Sequence, residues 1–515
     1  MGDNLADLVR SAAGARPDSA ALLFRDQRIT WAELHARVDR VARTLLGLGL
    51  EPGDRVGLQL GNTPDFVAVY FGTLRAGLVT VPLNTGYTSR ELCGLLADSG
   101  ARVVVATESG AGLVLGAWDE LPVLERVLVG DGGSAPAGAH GLEDLLASAG
   151  DSPVPDAAGG EDLAVLIYTS GTSGTPKGAM LSHRALLANL EQVSRIEPPV
   201  LTSDDVVLLV LPLFHIYGLN PGLGMAAYHG ATGLLAERFD PYETLELIAQ
   251  HAVTSVIGAP PMYVAWSMLS DATGAFASVR LATSGSAPLP ADALLRLRED
   301  AGIEVYEGYG LTETAPVVST TLMSDVPKPD SIGRPIPGVE VKLVDEEGDE
   351  VDEDDPGELT VRGRNLFSGY WPDGAGGPDD DGWFATGDVA YADDDDDLHL
   401  VDRRKELILV SGFNVYPREI EAVLLEHPGI TEAAAIGIPD PYTGEAVRAV
   451  VVVEPGALVT TEGVITHCEL SLARFKCPST VEFVAELPHG ATGKVRKGQL
   501  RAAAEAAQAA AGFSA

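Results

Sequence analysis

Cysteine and lysine are the scarce residues of this chain. Three cysteines in 515 residues, Cys93, Cys468 and Cys477, cannot build a disulfide framework, and their spacing matches no zinc site. No stretch approaches 18 uninterrupted apolar residues, which excludes a helix of membrane-spanning length. The opening Met1-Gly-Asp-Asn-Leu-Ala-Asp-Leu-Val-Arg10 is acidic and holds no signal-peptide hydrophobic region, so a cytoplasmic protein is expected. Positive charge is also short: 35 Lys and Arg face 74 Asp and Glu, a formal net charge of −39. That balance argues against nucleic acid or an anionic membrane surface as a general partner. Only seven lysines occur, at 177, 328, 342, 405, 476, 494 and 497, and four of them fall in the last 111 residues. An acidic chain that binds a polyanion must gather such cations locally.

What is present points to a large globular protein. At 515 residues and 46% hydrophobic content, two or three domains are expected. The chain is organised around Tyr168-Thr-Ser-Gly-Thr-Ser-Gly-Thr-Pro-Lys-Gly178, between the apolar run Leu163-Ala-Val-Leu-Ile167 and a helical-looking Ala179-Met-Leu-Ser-His-Arg-Ala-Leu-Leu-Ala-Asn189. The pattern reads as strand, flexible loop, helix. Gly171, Gly174 and Gly178 free the backbone for close approach to a ligand, and five Thr/Ser hydroxyls and Lys177 add polar groups and one charge. At a helix start, such a set suits a triphosphate. An exposed Gly/Ser linker is the bland alternative. The loop is no Walker A motif, because Lys177 follows Pro176 and no Ser/Thr comes next.

Around this loop, helical and strand-like segments alternate. Thr30 can cap a helix over the following residues, Arg55 to Leu60 reads as a strand, Asn62 to Gly77 as a helix and Leu78 to Pro82 as a strand. This alternation predicts an α/β layered domain. The Gly/Pro/Ala-rich stretch 130–160 reads as a loop, and Arg280 to Leu289 as a strand ending in small residues. Residues 341–366 read as antiparallel strands around an acidic turn, and Asp393 to Asp397 as a second, solvated acidic turn without Ca²⁺-loop spacing. After Asp402 the pattern resets: a helix near 415–428, strands near 433–438 and 449–453, and a low-complexity alanine tail.

Several further clusters carry chemistry. Leu211-Pro-Leu-Phe-His-Ile-Tyr-Gly-Leu-Asn220 sets a histidine and a tyrosine among apolar residues, which alone fits a satisfied core histidine. Glu307-Gly-Tyr-Gly-Leu-Thr-Glu-Thr314 joins an aromatic between glycines to a hydroxyl and a carboxylate able to hold Mg²⁺. Trp383-Phe-Ala-Thr-Gly-Asp388, Asp402-Arg-Arg-Lys405, Ser411-Gly-Phe-Asn-Val-Tyr-Pro417 and Leu487-Pro-His-Gly-Ala-Thr-Gly-Lys-Val-Arg-Lys497 follow. In this order the motifs resemble those of the adenylate-forming superfamily, which includes acyl-CoA synthetases, peptide-synthetase adenylation domains and luciferases. The resemblance is closest to fatty acyl-CoA and 4-coumarate-CoA ligases.

That resemblance implies an α/β fold: a large multi-layer N-terminal domain over 1–401, with β-sheets flanked by helices, and a small mobile α+β lid over 402–515, hinged at Asp402. It implies catalytic roles for Lys494, His215, Thr312 and Glu313. It places ATP or AMP on Thr169, Ser170, Gly171, Thr172, Ser173, Lys177, Gly285, Ser286, Ala287, Glu307, Gly308, Tyr309, Thr312, Asp388, Arg403 and Lys494. Tyr217, Gly218, Pro221, Ala287, Gly308 and Gly310 are implied in the acyl pocket, and Mg²⁺ on Glu313 and Thr172. For coenzyme A it implies Arg238, Ser411, Gly412 and Phe413; the chain departs from plant relatives that carry lysines where Leu409 and Ser411 stand, and Arg238, Arg474, Lys476, Arg496 and Lys497 are the cations available to compensate. The implied reaction makes acyl-AMP and pyrophosphate from ATP and a carboxylic acid, then transfers the acyl group to coenzyme A. A medium- or long-chain fatty acid is the expected substrate; an aryl acid of the coumarate type, or loading of a separate carrier protein, is the alternative. A homodimer and a lysine acetyltransferase acting on Lys494 are the expected protein partners.

Overall fold

The computed structural model describes residues 2–150, 152–155, 158–169, 176–269, 272–345, 347–351, 355–403, 406, 408–410, 413–440, 443–472, 474–490 and 494–510. Two large sheets form the bulk. In one of nine strands, Ala20–Phe24, Thr232–Leu235, Val206–Leu209, Ser255–Gly258, Leu281–Ser284 and Val305–Gly310 run parallel, and antiparallel strands close both edges. In the other, of seven strands, Arg126–Val129, Ala101–Ala106, Arg55–Gln59, Val79–Pro82 and Leu163–Thr169 pair in parallel. Runs such as Val103-Val-Val105 are buried throughout, as strands covered on both faces must be.

Helices Trp31–Gly47 and Pro64–Arg75 pack against one another in this layered core. Thr30 caps the first through a full capping box, accepting from Glu33 N at 3.2 Å while its own N–H donates to Glu33 Oε2 at 2.8 Å. The second is buried on every side from Asp65 to Leu74, so it lies between layers rather than on the surface. Gly72 permits that approach: a Cβ there would lie 2.5 Å from Val41 Cγ1.

A four-stranded antiparallel sheet, Val339–Val344, Gly357–Gly363, Trp383–Ala392 and Leu398–Arg403, follows. The last sheet joins Phe413–Val415, Ile408–Val410, Gly444–Val453, Ile430–Asp440 and Thr480–Val484, and its own apolar cores hold Ile420, Leu424, Ile436 and Val464 beneath helices Pro417–Leu425, Thr461–Glu469 and Lys497–Ala510. A large α/β body and a small α+β unit result, as expected. No helix among the described residues is long and apolar enough to cross a membrane.

Two expectations need correction and a third needs refining. The stretch after the glycine-rich loop is not helical from Ala179: Lys177–Ser182 is a strand, antiparallel to Leu163–Thr169, and the helix His183–Ser194 starts only where Ser182 caps it. Lys177 therefore sits on a β-hairpin rather than at a helix start. The stretch 130–160 is not all loop, since it holds a short strand, His140–Gly141, and a helix, Leu142–Ala147. The second acidic run is a turn with Asp394, Asp395 and Asp396 exposed, as expected, but its two ends, Asp393 and Asp397, are held by cations. Lys328 Nζ lies 2.7 Å from Asp393 and Asp395 and 3.3 Å from Asp397, and Arg334 also meets Asp397, which is 1% exposed. The run is the hub of an ion-pair network that fastens residues 324–334 to the hairpin.

Candidate active site

The hairpin brings Lys177 to Tyr370. Residues 368–371 pair along its second strand: Ser368 N donates to Met180 O at 2.9 Å, Met180 N to Gly369 O at 3.1 Å and Trp371 N to Gly178 O at 2.8 Å. This lays the Tyr370 ring 5.0 Å from Lys177 Nζ, and the Tyr370 hydroxyl donates to Glu313 Oε1 at 2.6 Å. Glu313 stands in a 3₁₀ turn, Thr312–Thr314, and is almost wholly buried. Three asparagines hold the chain after it. Asn365 donates to Thr314 O and Asn220 to Ala315 O, each at 2.8 Å, and Asn189 exchanges bonds with Val317 at 2.8 and 3.1 Å. That clamp sustains Ala315 at a φ of +65°, a conformation costly for a residue with a Cβ. Thr169 ends the first strand; Ser170, Gly171, Thr172 and Ser173 lie outside the described residues.

A second pair joins two sheets. Tyr309, on Val305–Gly310, donates its hydroxyl to Asp388 Oδ2 at 2.6 Å across to Trp383–Ala392, and both side chains are buried. Arg403 stands opposite Asp388 in strand register, and Asp402 opposite Val389. Gly285, Ser286 and Ala287 follow the neighbouring strand Leu281–Ser284, with Ser286 at a φ of +78°. Glu307 accepts from Leu289 N at 2.9 Å just beyond; burial, and to a lesser degree the nearby Asp330 charge, push its carboxyl up to about 7.

His215 and Tyr217 follow strand Val206–Leu209. Burial, and secondarily the Lys494 charge, push His215 down to about 4. Its Nδ1 accepts from Tyr217 N at 3.2 Å, which assigns the ring proton to Nε2 of a neutral imidazole. The Tyr217 hydroxyl lies 3.4 Å from Thr283 Oγ1, and its ring passes so close to Gly285 that a Cβ there would sit 3.1 Å from Tyr217 Cζ. Gly218 and Gly310 have a backbone reason: a Cβ on either would strike Pro212 O at 2.5 Å or Pro316 O at 1.9 Å. Gly308 is looser, with Ser319 O at 3.5 Å. Pro221 lies in a buried π-helical turn, Gly218–Gly224. Between this turn and the sheet, Leu208, Leu209, Leu211, Gly218, Gly222 and Ile257 pack into an apolar layer that leaves no room for a water molecule.

Lys494 is carried on a small hairpin in which Gly490 N donates to Lys494 O and Arg496 N to Pro488 O, both at 2.7 Å. Its charge is a secondary influence on His215, which puts the two within electrostatic reach of one another. The cations expected to compensate near coenzyme A fare differently. Lys476 Nζ donates to both Glu419 oxygens at 2.7 Å, and Lys497 Nζ lies 3.1 Å from Glu406 and 2.9 Å from Glu421. These two are built into the small unit rather than presented to an anion. Arg238 is 78% exposed, 3.9 Å from Glu243. Phe413 begins a strand; Ser411 and Gly412 lie outside the described residues.

The sequence reading missed Tyr370, Asn189 and Asn365. Their partners are 57, 128 and 51 positions away, so no local pattern marks them; the one signal for Tyr370 is an aromatic between Gly369 and Trp371 after a predicted strand.

Residues 9–371 match the AMP-binding enzyme family and residues 419–494 the AMP-binding enzyme C-terminal domain. A long-chain-fatty-acid–CoA ligase of Escherichia coli O157:H7 is 36% identical over 97% of this chain and 94% of its own. A feruloyl-CoA synthase of an Amycolatopsis species is 37% identical over 94% of this chain and 96% of its own. The crystal structure of ATP-bound MatB from Rhodopseudomonas palustris superposes with a TM-score of 0.90 at 34% identity, covering 98% of this chain and 99% of that one. Apo MatB, at the same identity and coverage, reaches 0.78. The chain thus superposes more closely on the ATP-bound structure than on the apo one. With both of its regions matched in order, the chain belongs to the AMP-binding enzyme family.

Proposed function

We propose that this AMP-forming acid–CoA ligase takes a medium- or long-chain fatty acid. The carrying observation is the apolar setting of His215 and Tyr217: Leu213, Ile216, Leu219 and Leu223 are buried around them, and the segment from Leu211 to Gly224 holds no Lys or Arg to pair with a second carboxylate. Similarity to long-chain-fatty-acid–CoA ligases over nearly the whole chain supports the same reading.

In the first half-reaction an acid oxygen attacks the α-phosphorus of ATP, the bond to pyrophosphate breaks, and acyl-AMP forms. Neutral His215 offers Nε2–H to the carboxylate without drawing off its negative charge, and Lys494 offsets charge as pyrophosphate leaves. Asp388, held by Tyr309, suits two vicinal ribose hydroxyls. Mg²⁺ fits Glu313: it characteristically takes one or two carboxylates plus phosphate oxygens, and Glu313 is a nearly buried carboxylate oriented by the Tyr370 hydroxyl. When bound, it would neutralise phosphate charge. Glu313, and Thr172 in the loop, would hold it. In the second half-reaction the coenzyme A sulfur attacks the acyl carbon and AMP leaves. We assign 1–401 to the body and 403–515 to a lid turning about Asp402, because Lys494 and coenzyme A need the same side of the acyl carbonyl in turn.

The test is AMP and thioester formation from ATP across acetate, octanoate, palmitate, malonate, benzoate and coumarate, with and without coenzyme A. Turnover peaking on octanoate or palmitate and requiring coenzyme A is expected. An aryl acid is the second reading, favoured by the likeness to feruloyl-CoA synthase, and a peak on coumarate would establish it. Adenylation without thioester would reassign the chain to loading a carrier protein.

A further inference from the structure

Tyr370 touches two groups of the site from two elements at once. Its ring face receives the Lys177 ammonium at 5.0 Å and its hydroxyl donates to Glu313 Oε1 at 2.6 Å. Nothing about the ring is loose. It packs edge-on against Phe367 at 5.1 Å, Phe367 packs edge-on against Phe384 at 5.1 Å, and both phenylalanines are buried. The backbone is fixed as well, since residues 368–371 extend the hairpin that carries Lys177, and Phe367 N donates to Glu313 O at 2.9 Å. A tyrosine kept only for core packing would need neither a cation on its face nor a carboxylate on its hydroxyl. We propose that Tyr370 is a positioning residue of the nucleotide site: one rigid side chain registers the cation of the phosphate hairpin to the carboxylate of the 312–314 turn. This rests on the reading of Glu313 as the metal-holding carboxylate.

The two contacts are separable by chemistry. Phenylalanine keeps the face that attracts the ammonium and removes the donor that orients the carboxylate; leucine removes both. The experiment uses the full chain, α,β-methylene-ATP as a non-reacting nucleotide, and Mn²⁺ as a paramagnetic probe titrated by electron paramagnetic resonance. Nucleotide affinity without metal is measured by calorimetry, and melting curves confirm folding. Tyr370→Phe is expected to weaken Mn²⁺ in the nucleotide complex about tenfold and to leave metal-free nucleotide affinity within about twofold, as a retained cation–π contact requires. Tyr370→Leu is expected to weaken both. Glu313→Gln separates this proposal from the reading beneath it. If Glu313→Gln loses Mn²⁺ affinity while Tyr370→Phe keeps it, the positioning role falls and the metal reading stands. Should both variants bind Mn²⁺ like the parent chain, the metal reading falls first.

Discussion

Glu307→Gln is the substitution whose outcome the structure fixes most closely. Glu307 is largely buried, accepts one backbone N–H, and has its carboxyl pushed from 4.5 up to about 7, chiefly by burial. A group raised in the folded state adds nothing to pH dependence below 4.5, where both states hold the proton. Between 4.5 and 7 the unfolded chain releases a proton that the folded chain keeps, so stability falls with rising pH; above 7 the whole penalty is present. Its size is about 3 kcal/mol. Glutamine keeps an oxygen for Leu289 N and removes the charge. The variant should therefore melt with the parent at pH 4.5 and above it at pH 8. For a cooperative unit of roughly 400 residues, an unfolding entropy near 0.8 kcal/mol/K turns that penalty into a rise of about 3 to 4 °C. Differential scanning calorimetry of the ligand-free chain at both pH values measures it. Equal shifts at the two pH values, or none at pH 8, would refute the burial argument.

Lys494→Ala should lower ATP–pyrophosphate exchange by about 10² to 10³ while thioester formation from supplied acyl-AMP stays within a few-fold; equal losses in both assays would remove Lys494 from the first step. Acetyl-lysine installed at 494 should behave like that variant, since acetylation removes the same charge, and full activity of the acetylated chain would end its regulatory reading. His183 and His215 are both held near 4 by burial, below their usual 6.5, so their stabilising effect is complete above 6.5 and is lost as pH falls through 4. His183→Gln should flatten that acid-side fall in melting temperature between pH 6.5 and 4, and an unchanged slope would mean that His183 is not a buried neutral imidazole. Lys328→Ala should lower the melting temperature, because Asp397 is buried and loses one of two cations. A shift that vanishes only in high salt would mean the network is a surface feature.

Much of the body was legible because its signals are local. Thr30 with Glu33 three residues on, Thr63 before Pro64, and valine-rich runs between helices announce their elements whatever surrounds them. The phosphate hairpin misled because Lys177–Ser182 is rich in Ala, Met and Leu, good helix formers, while its strand state comes from pairing with Leu163–Thr169 and with residues 368–371. The ion pairing at the ends of the run Asp393 to Asp397 was not legible because Lys328 is 65 positions from Asp393. Motif residues such as His215, Glu313 and Asp388 could be named from sequence; their holders, Tyr370, Tyr309 and the asparagine clamp, act through contacts that only the fold creates.

The lysines tie these observations to the problem an acidic chain faces with polyanions. Lys328 is committed to three aspartates, Lys342 to the face of Trp383 at 4.5 Å, Lys476 to Glu419, and Lys497 to Glu406 and Glu421. Of the six lysines in the described residues, the other two are Lys177, laid against Tyr370 beside Glu313, and Lys494, whose charge reaches His215. These are the two that the motifs place on the phosphate and acid sides of one reaction. A net charge of −39 repels ATP at long range, but screening confines that repulsion to about 8 Å at physiological ionic strength. Within that distance two well-placed ammonium groups outweigh a distant excess of carboxylates. Scattering further lysines over the surface should therefore leave nucleotide affinity nearly unchanged in physiological salt, whereas neutralising Lys177 alone should weaken it severalfold; the reverse result would mean that the global field, not local placement, governs binding.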